Sequence, residues 1–459
     1  MKKKLALILA LVMIFALALT ACGDKDEGNT TPSSNPTTQP SQAPTDDGNE
    51  PSEGDEPSGP VEADWSNPIL IGHLADLTGN EASTGLLGQA AVEVAAEIIN
   101  ANGGIAGRAV KIITEDTASN AANAATAARK LVEEDGVVAI LGPTQMGHKQ
   151  SVSSVAAELE VPVIAYNGTP KFYTASNDYF MSSGGATPQM PSVMADFLYN
   201  EQGFRKIYVI TQEGTAGDNY GNPLMNNFKA MGGTVVDDIR VPADATDISS
   251  YVNRIVTGED ADCVVGWLSG TQGVGLWTSW YDQGVADKMP MYGLVHGGFT
   301  DYFIWLQLNN SRPEVVEKAL EQGVYAPINW TYSIDTPENQ AFVEAWTNAE
   351  FTKDTNYAGE PLGSNLPGAG YTALSLVKAA IESIDGNTDG PALYQALKTA
   401  QVNVAEGHTA IDGNTDSTVK DVYIAKVIKD ANYQGGPHLF NYEIVKVYED
   451  VPVDGLTAG

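Results

Sequence analysis

Cysteine is nearly absent from this chain, with only Cys22 and Cys263 in 459 residues, so a disulfide framework is excluded. Basic residues are also scarce: 25 Lys and Arg stand against 58 Asp and Glu, for a formal net charge of −33. A nucleic-acid partner needs a basic stripe, and none is available. Beyond residue 21 no apolar run is long enough to span a bilayer, so the chain cannot by itself be a permease or a membrane-spanning receptor. Catalytic signatures are missing as well. Gly266-Trp267-Leu268-Ser269-Gly270 has the wrong spacing for a nucleophile elbow. The glycines at 270, 273 and 275 do not make GxGxxG, and no HExxH or Walker A sequence occurs. These absences argue against an enzyme, a bound cofactor and a metal centre. The acidic balance bears on solubility and extracellular life rather than on fold.

What is present begins at the N-terminus. Lys2, Lys3 and Lys4 precede an apolar stretch from Leu5 to Leu19, which is an export signal. Leu19-Thr20-Ala21-Cys22 resembles the lipobox of bacterial lipoproteins. That resemblance implies cleavage after residue 21, a lipid on the Cys22 thiol and a chain held at the outer face of the cell membrane. Residues 23 to 65 are mostly Ser, Thr, Pro, Asn, Gly, Asp and Glu. Such a segment cannot bury enough surface to offset chain entropy and is expected to be disordered. A flexible chain of this length reaches about 35–40 Å. The reading is therefore a signal peptide over 1–21 and a lipidated tether over 22–65. A tether this long points to a bacterium of the Gram-positive type. With Cys22 acylated, Cys263 has no disulfide partner. It lies in the apolar run Cys263-Val264-Val265, as a buried strand residue would.

From Ile69 onward, short β-rich runs alternate with helical ones. Strands are expected at 69–72, 110–113, 137–141 and 161–164, with helices at 85–100, 119–134 and 150–159 between them. After Ser182 the rhythm restarts. Strands are expected at 206–210, 234–236, 262–267 and 289–293, with helices at 191–201, 221–231, 248–256 and 271–282. Later helices are expected at 371–383 and 391–399, and closing strands at 422–428 and 443–448. Repeated β-α-β units with apolar strands mean doubly wound parallel sheets covered on both faces, and two series mean two α/β lobes. Ligands of such sheets bind beyond the carboxyl ends of the strands. The loops to watch start at His73, Gly142, Ala165, Gln212, Leu268 and Leu294.

Asn100-Ala101-Asn102-Gly103-Gly104-Ile105-Ala106-Gly107, followed by Val110 and Glu115-Asp116-Thr117, resembles the Leu/Ile/Val-binding-protein family of type I periplasmic binding proteins. Looser matches are residues 131–137, Leu141-Gly142-Pro143, Val161-Pro162-Val163-Ile164, Tyr220-Gly221 and Gly370-Tyr371-Thr372-Ala373. The resemblance covers about Ile69 to Tyr448. It implies two lobes joined by three hinge crossings, near Ser182-Ser183, Tyr325-Ala326-Pro327 and Gly407 to Asp412. Lobe one is then 66–182 with 327–410, and lobe two 183–326 with 411–453. It also implies a monomer that captures a small ligand between the lobes. The ligand is handed to ABC permease subunits driven by a separate ATPase. A sensory module reporting to a membrane kinase or chemoreceptor is the alternative, with the same fold and cleft.

Site residues follow from the same resemblance. The loop after the third strand offers Met146 and Gly147, with Met146 where a serine often holds the ligand carboxylate. The loop after the fourth strand reads Asn167-Gly168-Thr169 and matches the small-x-Thr pattern. Tyr220 and Tyr371 match aromatic wall positions, and Trp267 and Ser269 fall near another. His73 and His296 lie in expected cleft loops. Amino-acid binders commonly place an acid at the position of His296 to hold the α-ammonium. Here either Asp218 or Glu213 substitutes, or the ligand is not an α-amino acid. The ligand class therefore stays broad, from amino acids to amides and organic acids.

Overall fold

The computed structural model describes residues 62–79, 81–166, 168, 178–185, 187–268, 270–295, 302–349, 366–430 and 439–457. Cys22, nearly all of the tether, Asn167, Thr169, Ser269 and His296 lie outside them, as does the Met146 side chain.

The first lobe runs β1 (Asp64–Ala75), α1 (Ala82–Ala101), β2 (Arg108–Asp116), α2 (Ala121–Glu133), β3 (Ala139–Leu141), α3 (Met146–Leu159), β4 (Val163–Ala165) and β5 (Phe180–Ser182). Its strands form one parallel sheet in the order β2-β1-β3-β4-β5. Ala139, Ile140 and Leu141 are fully buried, as a central parallel strand covered on both faces requires. The family block starting at Asn100 has a local cause. The Asn100 side chain donates to Val110 O at 2.9 Å and accepts from Val110 N at 2.8 Å. One amide at the end of the helix thus satisfies both backbone groups of Val110 in the next strand.

The second lobe runs α4 (Gln189–Asp196), a wider helical turn (Phe197–Glu201), β6 (Lys206–Gln212), α5 (Thr215–Ala230), β7 (Thr234–Val241), α6 (Ser249–Thr257), β8 (Cys263–Trp267), α7 (Gly270–Asp282) and β9 (Met291–Gly293). Its parallel sheet has the order β7-β6-β8-β9. Cys263 is fully buried there beside Ile207 and Val265. Two helices follow, α8 (Tyr302–Ser311) and α9 (Pro313–Gln322).

The rest of the chain builds a third sheet. It runs β10 (Tyr325–Ile328), α10 (Pro337–Asn348), α11 (Leu366–Ser383), α12 (Gly390–Leu397), β11 (Gln401–Val404), β12 (Gly407–Asp412), β13 (Ser417–Ile428) and β14 (Asn441–Val451). These strands are antiparallel, in the order β10-β13-β12-β11, with β14 on the other side of β13. The expected closing strands are β13 and β14, longer than read. The second and third expected crossings fall on β10 and β12, and the first falls at the end of β5.

Several expected boundaries are corrected. β1 runs on to Ala75 because its ladder with β2 continues to Ala75↔Asp116. Helix α3 begins at Met146 rather than Gln150. Helix α5 begins at Thr215 rather than Gly221, its signal hidden by Gly217, Gly221 and the internal Pro223. Helix α11 begins at Leu366, so Tyr371 sits inside a helix rather than at its start.

Candidate functional site

The carboxyl ends of the lobe-one strands are tied together by acids. The Asp116 carboxylate accepts from Leu77 N at 2.9 Å, Thr78 N at 3.2 Å, Ala118 N at 2.7 Å and the Thr78 hydroxyl at 2.7 Å. Burial alone raises its pKa. The bonds from the Thr78 hydroxyl and from the Ala118, Thr78 and Leu77 amides outweigh that and hold it below the ordinary value. Asp76, just past β1, accepts from the Thr117 hydroxyl and faces His148 Nδ1 at 3.4 Å. Helix α1 closes down on this turn through Gly85, where an added Cβ would stand 2.1 Å from Asp76 O.

The first turn of α3 is the feature of this edge suited to an anion. Its N-cap, Gln145, makes no side-chain cap bond, and the turn holds no acid. Gln145 instead donates to Glu81 Oε2 at 2.9 Å. The Gly147 backbone therefore lies in a turn whose leading N–H groups are not met by their own cap, at the positive end of the helix dipole. Lys149 is buried in the same turn, and burial lowers its pKa to about 7. Gly168, after β4, has φ +79°, the left-handed region that glycine adopts without strain.

In lobe two, β6, β7 and β8 end in register. Thr211 is level with both Arg240 and Trp267, so the three side chains share one face of the sheet. Helix α5 lies across that face. Tyr220 meets Trp267 with ring centroids 5.6 Å apart and planes tilted by 54°. Arg240 is held by Asp238 at 2.7 Å and Asn222 at 3.0 Å, with Asp218 at 3.7 Å. An added Cβ at Gly217 would stand 1.9 Å from Gln212 O and 2.7 Å from Arg240 Nη1, so only glycine lets α5 sit this close.

Placement of the expected residues is mixed. Tyr220 and Trp267 are brought together, both half-buried. Gly147 lies in the first turn of α3 rather than in a loop, and Gly168 lies in the segment after β4. His73 is corrected: it lies inside β1, fully buried, with Nδ1 3.4 Å from the Thr114 hydroxyl and its ring 5.9 Å from Tyr166. Burial alone lowers its pKa to about 3. Tyr371 is half-buried in α11 against Phe342, centroids 4.9 Å apart. Asp218 is engaged by Arg240. Sequence reading missed Arg240 and Lys149, since a charge gains meaning only from what surrounds it. Among the described residues no group of three or more His, Cys, Asp or Glu is placed to hold a metal ion.

This geometry meets a family model described as periplasmic binding protein, which matches residues 68–432. The chain belongs to the periplasmic binding protein family. The relatives of this binding protein include Leu/Ile/Val-binding protein homolog 6 of Brucella melitensis, 24% identical over 335 residues, covering 72% of this chain and 79% of that one. Homolog 3 of the same organism is 28% identical over 336 residues, covering 72% and 83%. Among solved structures, an ABC transporter substrate-binding protein from Sphaerobacter thermophilus superposes with TM-score 0.70 at 25% identity, over 84% of this chain and 98% of that one. The branched-chain amino acid transporter substrate binding protein of Streptococcus pneumoniae, in complex with isoleucine, gives 0.62 at 21%, over 83% and 99%. A Rhodopseudomonas palustris solute binding protein with 4-hydroxybenzoate gives 0.67 at 20%, over 84% and 98%. The last two share the fold. The resemblance read from Asn100–Gly107 is thereby met, as is the two-lobed parallel α/β architecture. Substrate-binding proteins of this type bind small molecules and work with permease components. No helix among the described residues is long and apolar enough to cross a membrane.

Proposed function

We propose that this binding protein is the extracytoplasmic receptor of an ABC importer, anchored through a lipid on Cys22. It captures a small carboxylic acid with a planar or branched apolar body and delivers it to a membrane permease. The Tyr220–Trp267 pair carries this reading. Two half-buried rings at the carboxyl ends of lobe-two strands offer an apolar wall, while the α3 N-terminus in lobe one offers amides to a carboxylate. Asp218, a candidate partner for an ammonium, is already engaged by Arg240. That favours a simple organic acid over an α-amino acid, because an unpaired buried ammonium is costly. Asn167, Thr169, Ser269 and His296, outside the described residues, are further candidate ligand contacts. Ligand that bridges both lobes stabilises the closed form by contacts the open form lacks.

The test is a thermal-shift and calorimetry series on the purified protein with benzoate, 4-hydroxybenzoate, isoleucine, leucine and phenylalanine. A bound ligand raises the midpoint with concentration. The expected result is a response to the aromatic acids that weakens in Trp267→Ala. A response to amino acids alone removes the organic-acid assignment. Silence across the series, after unfolding and refolding to clear any carried ligand, removes this solute class.

A further inference from the structure

Lys420 and Glu406 form an ion pair of 2.7 Å with both side chains 0% exposed. Their position is specific. Strand β13 pairs with β12 through Ser417–Lys420 and with β10 through Tyr423–Lys426. Lys420 is the last residue before the strand changes partners. Glu406 lies in the tight turn between β11 and β12.

Each member reaches a different part of the molecule. Glu406 Oε2 also accepts from the Thr372 hydroxyl at 2.6 Å, on α11, which packs on α1 of lobe one. Lys420 Nζ donates to Ser183 O at 3.4 Å, just after the last strand of the lobe-one sheet. Ser183 in turn donates to Ala369 O at 3.0 Å, on α11. Two residues before Lys420, Thr418 donates to Gly184 O at 2.8 Å. Gln189, opening lobe two, donates to Thr418 O at 2.9 Å and to Val451 O at 2.7 Å. The segment leaving lobe one, the β11–β12 turn and the point where β13 changes partners thus meet at one buried charge pair.

The hub does not use all its bonding capacity. Glu406 Oε1 and both amide atoms of Asn329, just past β10, are buried without a hydrogen-bond partner among the described residues. Buried polar atoms of this kind are costly to leave unpaired, so the hub is sensitive to changes in its charge and bonding. Removing one member of a buried pair strands the other charge, whereas replacing both with neutral groups of similar volume is tolerated.

We propose that Glu406 and Lys420 are positioning residues for lobe closure, their ion pair holding the crossing strands in the conformation described here. Neutralising the pair frees the lobes to adopt other angles without a ligand.

The experiment measures the distance between spin labels at Asn123→Cys on α2 and Asn226→Cys on α5, both exposed, in ligand-free protein carrying Cys22→Ser. The expected result is that Glu406→Gln/Lys420→Met reduces the population at the parent separation about threefold. Lys420→Arg keeps the parent distribution. A folded double variant with the parent distribution overturns the proposal. If the double variant does not fold, Glu406→Gln/Lys420→Gln decides, since it removes both charges and leaves the Thr372 hydroxyl an acceptor to meet. A shift in the same direction supports the proposal, and an unchanged distribution overturns it. No ligand enters the measurement, so an error in the solute assignment leaves this test intact.

Discussion

Tyr220 and Trp267, 47 positions apart in sequence, meet with ring centroids 5.6 Å apart because α5 lies across the face that carries the end of β8. If this pair walls the cleft, Trp267→Ala removes its larger ring while the strand remains. Aromatic pairs are worth about 0.5–1.5 kcal/mol beyond their buried area. With the lost area added, affinity for a responsive acid should fall roughly 10- to 100-fold, and the melting midpoint should drop as well because Trp267 packs on the lobe-two core. Titration calorimetry reads this directly. Parent affinity in the variant removes Trp267 from the site.

Gly217 tests how closely α5 is seated. An added Cβ would meet Gln212 O at 1.9 Å and Arg240 Nη1 at 2.7 Å. One of these contacts is to backbone and cannot swing away. Gly217→Ala should therefore destabilise the protein by about 1–3 kcal/mol and shift α5, weakening ligand binding as well. Urea unfolding at unchanged slope is the check, and a neutral effect would show that α5 is free to slide.

His73 should make stability depend on acid. Its pKa falls from an ordinary 6.5 to about 3 because the folded protein buries it. The unfolded chain therefore binds a proton that the folded chain refuses. The stability contributed by neutral His73 is fully present above pH 6.5 and is lost as pH falls from 6.5 towards 3. The full swing is roughly 4–5 kcal/mol at one proton. His73→Phe, which cannot titrate, should flatten the unfolding free energy across that window. The same slope in parent and variant would assign it to other groups.

Lys149 makes the matching prediction on the alkaline side. Burial lowers its pKa from 10.5 to about 7. A buried neutral amine favours the folded state most above pH 10.5. That contribution is lost as pH falls from 10.5 to 7. Lys149→Met should therefore be relatively more stable at pH 7 than at pH 10, compared with the parent. Chemical unfolding at the two pH values measures the difference, and equal parent and variant differences would contradict it.

Much of the fold was legible because its signals are local. The apolar runs at 137–141 and 263–265 could only be buried parallel strands, and the Asn100 block marks a helix end tied to the next strand by one amide. The N-terminal part of α5 was not legible. Gly217, Gly221 and Pro223 are poor helix formers, and the first two are kept because α5 must approach β6 and Arg240 closely. The β11–β12 hairpin was also missed. Its strands are short, and β12 alternates Gly407, Thr409 and Ile411 inward with His408, Ala410 and Asp412 half-exposed, so hydrophobicity hardly alternates. By its own residues β1 looks short and ends before His73, whereas pairing with β2 extends it to Ala75.

The sequence by itself determined the class of this protein: the alternation of strands and helices through the two parallel sheets, two α/β lobes, and a membership carried by glycines and one asparagine. Those properties follow from periodicity and turn residues, which act over short stretches of chain. Only the tertiary structure decided which charges matter. Arg240 seats α5, Asp218 is drawn into that contact, His73 is sealed in the core, and Lys420 finds Glu406 at the change of partner strands. A charge takes its role from the dielectric and the neighbours that folding supplies, and those neighbours come from parts of the chain far apart in sequence.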